Sequence, residues 1–294
     1  MHPAPSVIIF SSLSGAGFGL LFFLGLGLPT VTGRIAFVFY AIAFGLSVGG
    51  LLAATFHLKN RRNAWKSYRE WRTSWLSREA WAAVFALLVM GLHAFLQVFF
   101  GTTLVPLGWL GAALSMATVF TTSMIYGQLK SVPRWNQIAT PILFLTVSLA
   151  GGALLSGNVA IAGPLLLAAG AVTIWHWIAG DRRFAEAGSD MNTATGLKGS
   201  VSLWEKPHTG DNYLTREMVY RVARKHAVKL RVIALILLSL LPAILTFLPM
   251  HHVMGAVAVL SYLAGVFVQR WLFFAEAEHV VGLYYGVHAE KAAA

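Results

Sequence analysis

Eight stretches of the sequence are apolar for about 20 residues each, the length that a helix needs to cross the hydrocarbon of a bilayer. Only 11% of the residues are charged, whereas a soluble domain has about 25%. We therefore predict an all-α integral membrane protein that forms a single domain over residues 1–294. Its eight transmembrane helices are expected at about 6–28, 35–56, 80–101, 107–127, 140–156, 160–179, 231–248 and 253–274.

The number of crossings depends on the fifth and sixth stretches. Pro141, Gly157 and Pro164 interrupt this region, and the fifth stretch is short. We expect two helices in a tight hairpin, with six or seven crossings in total as the alternatives to eight.

Similarity between the two halves of the sequence suggests a duplication. The matching positions share one offset: Pro5, Ser12, Leu13 and Gly15 match Pro141, Ser148, Leu149 and Gly151. Residues 76–79 also match residues 214–217. Two parallel four-helix halves, 1–135 and 136–294, are one interpretation. Chance similarity in a membrane sequence of low diversity is the other.

Basic residues lie almost entirely on one side of the predicted helices. Of the 22 Lys and Arg residues, all but Arg34 fall in segments at one side, and the positive-inside rule makes that side cytoplasmic. We therefore expect a multi-pass protein of the bacterial cytoplasmic (inner) membrane, with cytoplasmic loops 57–79 and 180–230 and both termini in the cytoplasm. The same distribution explains the net charge of +11, so no nucleic acid partner is expected. Residues 214–230 are basic, and an amphipathic helix on the lipid headgroups or against a partner is expected there.

Cysteine is absent from the sequence, which excludes iron–sulfur clusters, thiolate zinc sites and disulfides in this chain. Two axial haem ligands must share one depth in the membrane, but His93 lies deep in the third helix and His176 lies close to the cytoplasmic end of the sixth. No repeated His-rich motif is present for a metal site. We therefore expect no haem and no metal in this chain.

A polar segment at 55–81 separates two long apolar stretches and is rich in Lys, Arg and Trp, which is typical of a membrane surface. His57 and Glu79 bracket it, so a helical hairpin would bring both side chains to one depth. Reduction of a quinone needs a donor to a carbonyl oxygen and a route for protons, which His and a carboxylate supply. The alternative is that Glu79 pairs with Arg78 or caps its helix through Ser77.

Other motifs lie near the same side of the membrane. Tyr126 and residues 130–135 follow the fourth helix, and we expect Trp135 to be an interface anchor. Residues 270–279 combine charges with aromatic rings and would close the site or dock a partner. The glycines of 15–19 and 45–49 are interpreted as helix-packing faces.

These motifs resemble the membrane-anchor subunit of the dimethyl sulfoxide reductase family of molybdoenzymes. The resemblance covers the whole chain and lies in Phe56-His57-Leu58, Arg62-Asn-Ala-Trp65, Ser74-Trp-Leu-Ser-Arg-Glu79, Val132-Pro-Arg-Trp135 with Pro141, and residues 271–285. Residues 273–281 are most similar to the anchor of cytoplasmic sulfite dehydrogenases. One departure concerns the turn after His57-Leu58, where the family usually has Gly and then Pro and this chain has Lys59 and Arg61.

The resemblance implies a non-catalytic third subunit. Its partners would be a molybdopterin catalytic subunit and an electron-transfer subunit with iron–sulfur clusters, and the anchor would bind a quinone, either ubiquinone or menaquinone. His57 and Glu79 would be the functional positions of the quinone site, and we expect Arg78 and Tyr126 to contribute to quinone binding beside them. The cations expected to dock the partner subunits are Arg61, Arg62, Arg72 and Arg270.

The charge distribution helps to choose a direction within this family. Catalytic subunits on the cytoplasmic side favour sulfite oxidation, with electrons passing from molybdenum along the clusters to a quinone near His57. A reductase anchor that oxidises quinol is the second hypothesis. A transporter is the third hypothesis, but it predicts buried polar groups near the middle of the membrane. Apart from His93 and Gln97, the positions near the middle of the predicted helices have almost no ionisable residues.

Overall fold

The computed structural model of the protein describes residues 1–56, 61–205, 208, 210, 212–218, 226–249 and 252–285, except the side chains of Arg61 and Ala64. Long helices dominate these residues, and no strand occurs among them, as predicted. The long helices are α1 (Pro5–Gly25), α2 (Gly33–Thr55), α3 (Trp75–Phe100), α4 (Val105–Gly127), α5 (Ala139–Leu155), α6 (Val159–Glu186), α7 (Ala227–Phe247) and α8 (His252–Ala275).

Seven of these helices are long and apolar enough to cross a membrane, and α5, with 17 residues, is shorter. Eight crossings therefore stay a prediction. Helix α6 continues to Glu186, past the predicted end near 179, because its last turns are polar and their charged side chains are partly solvated. Helix α7 contains a π-helical turn at Ile236–Leu240, which ends two residues before Pro242, and the missing N–H of this proline removes one helical hydrogen bond.

Helix α1 lies at the centre of the bundle, with 78% of its apolar window buried against α2, α4 and α5. Gly15 and Gly19 face α5, so the predicted packing face in 15–19 is confirmed. The prediction for 45–49 was wrong, because a Cβ added at Gly45 or Gly49 would meet no other atom within 4 Å. Helix α2 approaches α1 closely at Gly50 and at Ser47, which lies between those two glycines and packs against Gly17.

Helix contacts follow the same order in both halves of the chain. Helix α1 packs on α2 and α4 as α5 packs on α6 and α8, and the pair α3–α4 corresponds to α7–α8. Helices α1 and α5 run parallel, with Gly15 near Ser148 and Gly19 near Gly152. This order is what the duplication hypothesis predicts, although two parallel halves stay a prediction.

The longest connecting segments and the residues after α8 meet at one end of the bundle. We call it the basic end, and it carries residues 61–78, 129–138, 181–205 and 276–285. The N–H of Val280 donates to the carbonyl of Ser131 at 2.9 Å, and Asn212 donates to the hydroxyl of Tyr285 at 3.1 Å. The basic end is therefore a layer of interlocking loops over the helix ends.

Candidate functional site at the basic end

Glu79 lies just over one turn inside α3 from the basic end and is 4% exposed. The hydroxyl of Thr122 on α4 donates to its Oε1 at 2.5 Å, and this hydroxyl also lies 2.9 Å from the carbonyl oxygen of Thr118. Within the described part of the chain, Oε2 of Glu79 accepts no hydrogen bond. The carboxylate is therefore held at one oxygen and available at the other.

Neither alternative explanation for Glu79 fits its surroundings. The guanidinium of Arg78 donates to the carbonyls of Trp71 at 2.9 Å and Arg72 at 2.6 Å, and its Cζ lies 4.3 Å from the centre of the Trp75 ring. No ion pair joins Arg78 to Glu79 among the described residues. The N-cap of α3 is Ser74, so Glu79 does not cap the helix through Ser77.

His57, the second predicted functional residue, lies outside the described residues. Helix α2 ends at Thr55, and Phe56 after it is 64% exposed. The proximity of His57 to Glu79 therefore stays a prediction.

The segment at residues 61–74 leads into α3, and we call it the hairpin. It presents cations and indole rings at its surface. The Cζ of Arg69 lies 4.3 Å from the Trp65 ring, and that of Arg72 lies 5.4 Å from the Trp71 ring. Arg62 and Arg72 are exposed, whereas the side chain of Arg61 lies outside what is described. Exposed guanidinium groups are suited to a docking surface, and this role stays a prediction.

Tyr126 lies at the basic end of α4, one turn after Thr122, and is 9% exposed. Its ring contacts four aromatic rings, with centroids between 5.2 and 5.9 Å away: Trp135, Phe144, Phe273 and Phe274. Trp135 donates to the carbonyl of Phe273 at 2.9 Å and is 3% exposed, so the prediction that it anchors the membrane interface was wrong. Its indole belongs to the core because it finds a hydrogen-bond acceptor inside the bundle.

Arg270 is buried, with 1% of its surface exposed. Its Cζ lies 3.7 Å from the centre of the Phe144 ring, and its Nε and Nη1 have no hydrogen-bond partner in the described part of the chain. A docking cation must be exposed, so the docking role predicted for Arg270 is corrected. The reason is that the side chain of Arg270 faces the interior of the bundle, where its guanidinium lies over the ring of Phe144 on α5.

A cluster of four charged residues, which the sequence did not reveal, lies beside this site. We call it the ion-pair cluster; it consists of Arg134, Asp181, Arg231 and Glu276. Arg231 contacts both acids at 2.8 Å, and Arg134 contacts Glu276 at 3.4 Å and also pairs with Asp181. The cluster joins α6, α7 and the segments that follow α4 and α8. Ionisable residues near helix ends were visible in the sequence, but their pairing depends on helix packing.

Comparison with known proteins identifies the family. The family model described as "DMSO reductase anchor subunit (DmsC)" matches residues 1–286. The chain belongs to this family. The resemblance found in the sequence motifs is therefore confirmed. A curated relative of this chain is the sulfite dehydrogenase C subunit of Allochromatium vinosum. The two sequences are 32% identical, and the alignment covers 97% of this chain and 99% of the relative. No solved structure matches significantly.

The residues at the basic end of this DmsC family chain fit a quinone. A quinone head group is a flat ring with an oxygen at each side, and such ligands favour apolar aromatic pockets with a few polar groups. The rings around Tyr126 make this part of the bundle aromatic and apolar, and the N–H groups of Arg270 that lack a partner among the described residues can donate to an oxygen. No group of three His, Asp or Glu side chains suited to a metal ion occurs among the described residues.

Proposed function

We propose that this chain is the non-catalytic membrane anchor of a sulfite-oxidising molybdoenzyme complex and passes electrons to membrane quinone. A molybdopterin subunit oxidises sulfite, and the electrons reach the anchor through an iron–sulfur subunit. Membership of the DMSO reductase anchor family and the 32% identity to the C subunit of a sulfite dehydrogenase support this assignment.

The observation that carries the proposal is the buried carboxylate of Glu79 at the basic end. An ionisable side chain inside a membrane span is costly, and such residues mark functional sites. Thr122 orients the carboxylate through Oε1, which leaves Oε2 to receive and release a proton. The quinone, when bound, accepts two electrons and two protons and leaves as quinol.

The orientation follows from the distribution of charge. The basic end faces the cytoplasm under the positive-inside rule, so the partner subunits and the proton supply share that side. The N-terminal ammonium of Met1 donates to the carbonyl of Ala277 at 2.6 Å, and Ala277 follows the last residue of α8, which supports a shared side for both termini. An even number of crossings, eight in our proposal, gives this arrangement in the cytoplasmic membrane, with both termini in the cytoplasm.

The exposed hairpin is the proposed docking surface for the iron–sulfur subunit. Arg62 and Arg72 are exposed, and Trp65 is 53% exposed on the same segment. Arginine and tryptophan are enriched at the energetic centres of protein interfaces. Docking here would bring a cluster of the partner close to Glu79, since the hairpin leads directly into α3.

The test uses the complex purified with its partner subunits. We expect two soluble subunits, molybdenum and iron to co-purify with the anchor. In the His57→Ala and Glu79→Gln complexes, sulfite oxidation with a soluble dye as acceptor should persist, whereas reduction of quinone should be lost. Glu70→Gln is the matched control, because Glu70 is an exposed acid of the same hairpin. Normal quinone reduction by both variants would refute the site.

The family is named for the anchor subunit of DMSO reductase, and this favours one alternative: an anchor that oxidises quinol for a sulfoxide reductase. The same purified complex distinguishes the two directions. Sulfite should reduce quinone through the complex, and quinol should not support sulfoxide reduction at a comparable rate.

A further inference from the structure

Four side chains from four helices lie at one level of the bundle. Glu79 lies four positions after the first residue of α3, and Phe144 lies five positions after the first residue of α5. Thr122 and Arg270 lie five positions before the last residues of α4 and α8. With a rise of about 1.5 Å per residue, each lies roughly 6–8 Å inside the basic end. A carboxylate, a hydroxyl, an aromatic ring and a guanidinium therefore share one depth.

The guanidinium at this level lacks the partners that a buried charge requires. Nε and Nη1 of Arg270 are buried without a hydrogen-bond acceptor in the described part of the chain, and its Cζ lies against the Phe144 ring. Arg has five N–H donors and no acceptor, and it stays protonated in proteins. An uncompensated buried charge is strongly unfavourable, so a ligand that supplies an acceptor oxygen would stabilise this position.

An aromatic surface connects the guanidinium to the Glu79 side of the level. The ring of Phe144, under Arg270, stacks on Tyr126 with a centroid distance of 5.9 Å and an interplanar angle of 29°. Tyr126 lies one turn from Thr122, which bonds to Glu79. A flat ring bound along the edge of the Phe144–Tyr126 pair would have Arg270 toward one of its oxygens and Glu79 toward the other.

We infer that Arg270 donates a hydrogen bond to one carbonyl oxygen of the quinone, while Glu79 serves the opposite oxygen. This inference rests on the proposed function and assigns a second binding residue to the same site. Two electrons from the iron–sulfur subunit and two protons from water at the basic end convert both C=O groups to C–OH groups. Glu79 passes one proton to the oxygen that it serves, and the oxygen bound by Arg270 takes the second proton from water at the basic end, because Arg270 keeps its own proton and only binds the oxygen.

The experiment is photolabelling of the purified complex with a short-chain azidoquinone, followed by mass spectrometry of the peptides. We expect label on peptides of α5 or α8 as well as α3 or α4. In Arg270→Gln, labelling of α5 and α8 should fall about tenfold or more, and the KM for decylubiquinone should rise similarly, the size expected for a lost hydrogen bond to a charged group. Arg34→Gln is the control, because Arg34 is an exposed cation at the opposite end of the bundle.

The outcomes separate this inference from the proposed function. Label on α3 and α4 alone, with Arg270→Gln unaffected, would overturn the role of Arg270 and leave the anchor function intact. No label on this chain would overturn both. If Arg270→Gln does not assemble, Arg270→Lys keeps the charge but loses the planar fork, and it should still lower labelling of α5 and α8. Wild-type labelling that omits α5 and α8 would contradict the inference without any variant.

Discussion

Two groups of charged residues lie close together at the basic end, and they differ in how their charges are compensated. In the ion-pair cluster, two arginines and two acids contact one another, and Glu276 is bonded by both Arg134 and Arg231. At the level of Glu79 and Arg270, the described residues leave N–H groups of the guanidinium unpaired and bond the carboxylate at one oxygen only. The paired group is suited to holding helices together, whereas the unpaired group is suited to receiving a ligand.

The largest expected effect on stability concerns the paired group. Glu276→Ala leaves Arg134 and Arg231 with a single acid between them, and loss of one partner of a buried pair costs roughly 3–5 kcal/mol. Because these arginines keep 13% and 22% of their side-chain surface exposed, we expect about 3 kcal/mol or less, seen as a lower unfolding temperature in detergent.

The matched control for this prediction is Glu186→Ala. Glu186 pairs with Arg183 at 3.2 Å on the surface of α6, with 52% of its side chain exposed, so its loss should cost less than about 1 kcal/mol. Equal effects of the two substitutions would show that the ion-pair cluster has no special structural role.

Removal of the unpaired charge should have the opposite effect on stability. Arg270→Met replaces a buried cation with an apolar side chain of similar length, and such replacements are often neutral or stabilising by about 1–4 kcal/mol. The unfolding temperature should therefore stay the same or rise, while the affinity for quinone falls. A marked loss of stability would mean that Arg270 is structural, like the ion-pair cluster.

A smaller effect is expected at Thr122. Thr122→Val keeps the shape of the side chain but removes the donor to Oε1 of Glu79, which is worth about 1.5–3 kcal/mol for a charged acceptor. Quinone-coupled turnover should fall while dye-coupled sulfite oxidation stays normal. Thr121→Val is the control, because the hydroxyl of Thr121 bonds to the carbonyls of Ala117 and Thr118 in its own helix.

The smallest effect is expected on the exposed hairpin. Arg72→Gln removes a cation that lies over Trp71, and exposed interactions of this kind contribute less than about 1 kcal/mol. The stability of the anchor should not change, whereas partner subunits should dissociate at a lower salt concentration. Unchanged salt resistance would argue against docking at the hairpin.

Much of the fold could be predicted from the length of the apolar stretches, since each long helix matches one of them. The polar end of α6 was missed because the length of an apolar stretch gives only the part of a helix that lies in the hydrocarbon, and α6 continues beyond it into water. Glu79 could be selected because a carboxylate within an apolar stretch is unusual. Its partner Thr122 could not, because the pairing depends on how α3 packs on α4.

The errors have a common physical cause. Tryptophan and arginine are usually found at interfaces and surfaces, but Trp135 and Arg270 are both buried here by contacts between segments that are distant in the sequence. Trp135 is buried because the carbonyl of Phe273 accepts its N–H, and Arg270 lies over the ring of Phe144. A glycine pair four residues apart at Gly45 and Gly49 likewise faces away from the helices that it was expected to contact. One sequence does not specify which face of a helix meets which neighbour.

The most direct test of the central claim follows electron transfer to quinone itself. The purified complex is reduced with sulfite and mixed rapidly with a short-chain quinone, and reoxidation of the partner's iron–sulfur clusters is followed by their absorbance. We predict rapid reoxidation in the wild type and the Glu70→Gln control, and reoxidation at least tenfold slower in Glu79→Gln, as expected for loss of a general acid–base group. Equal rates in all three complexes would contradict the account.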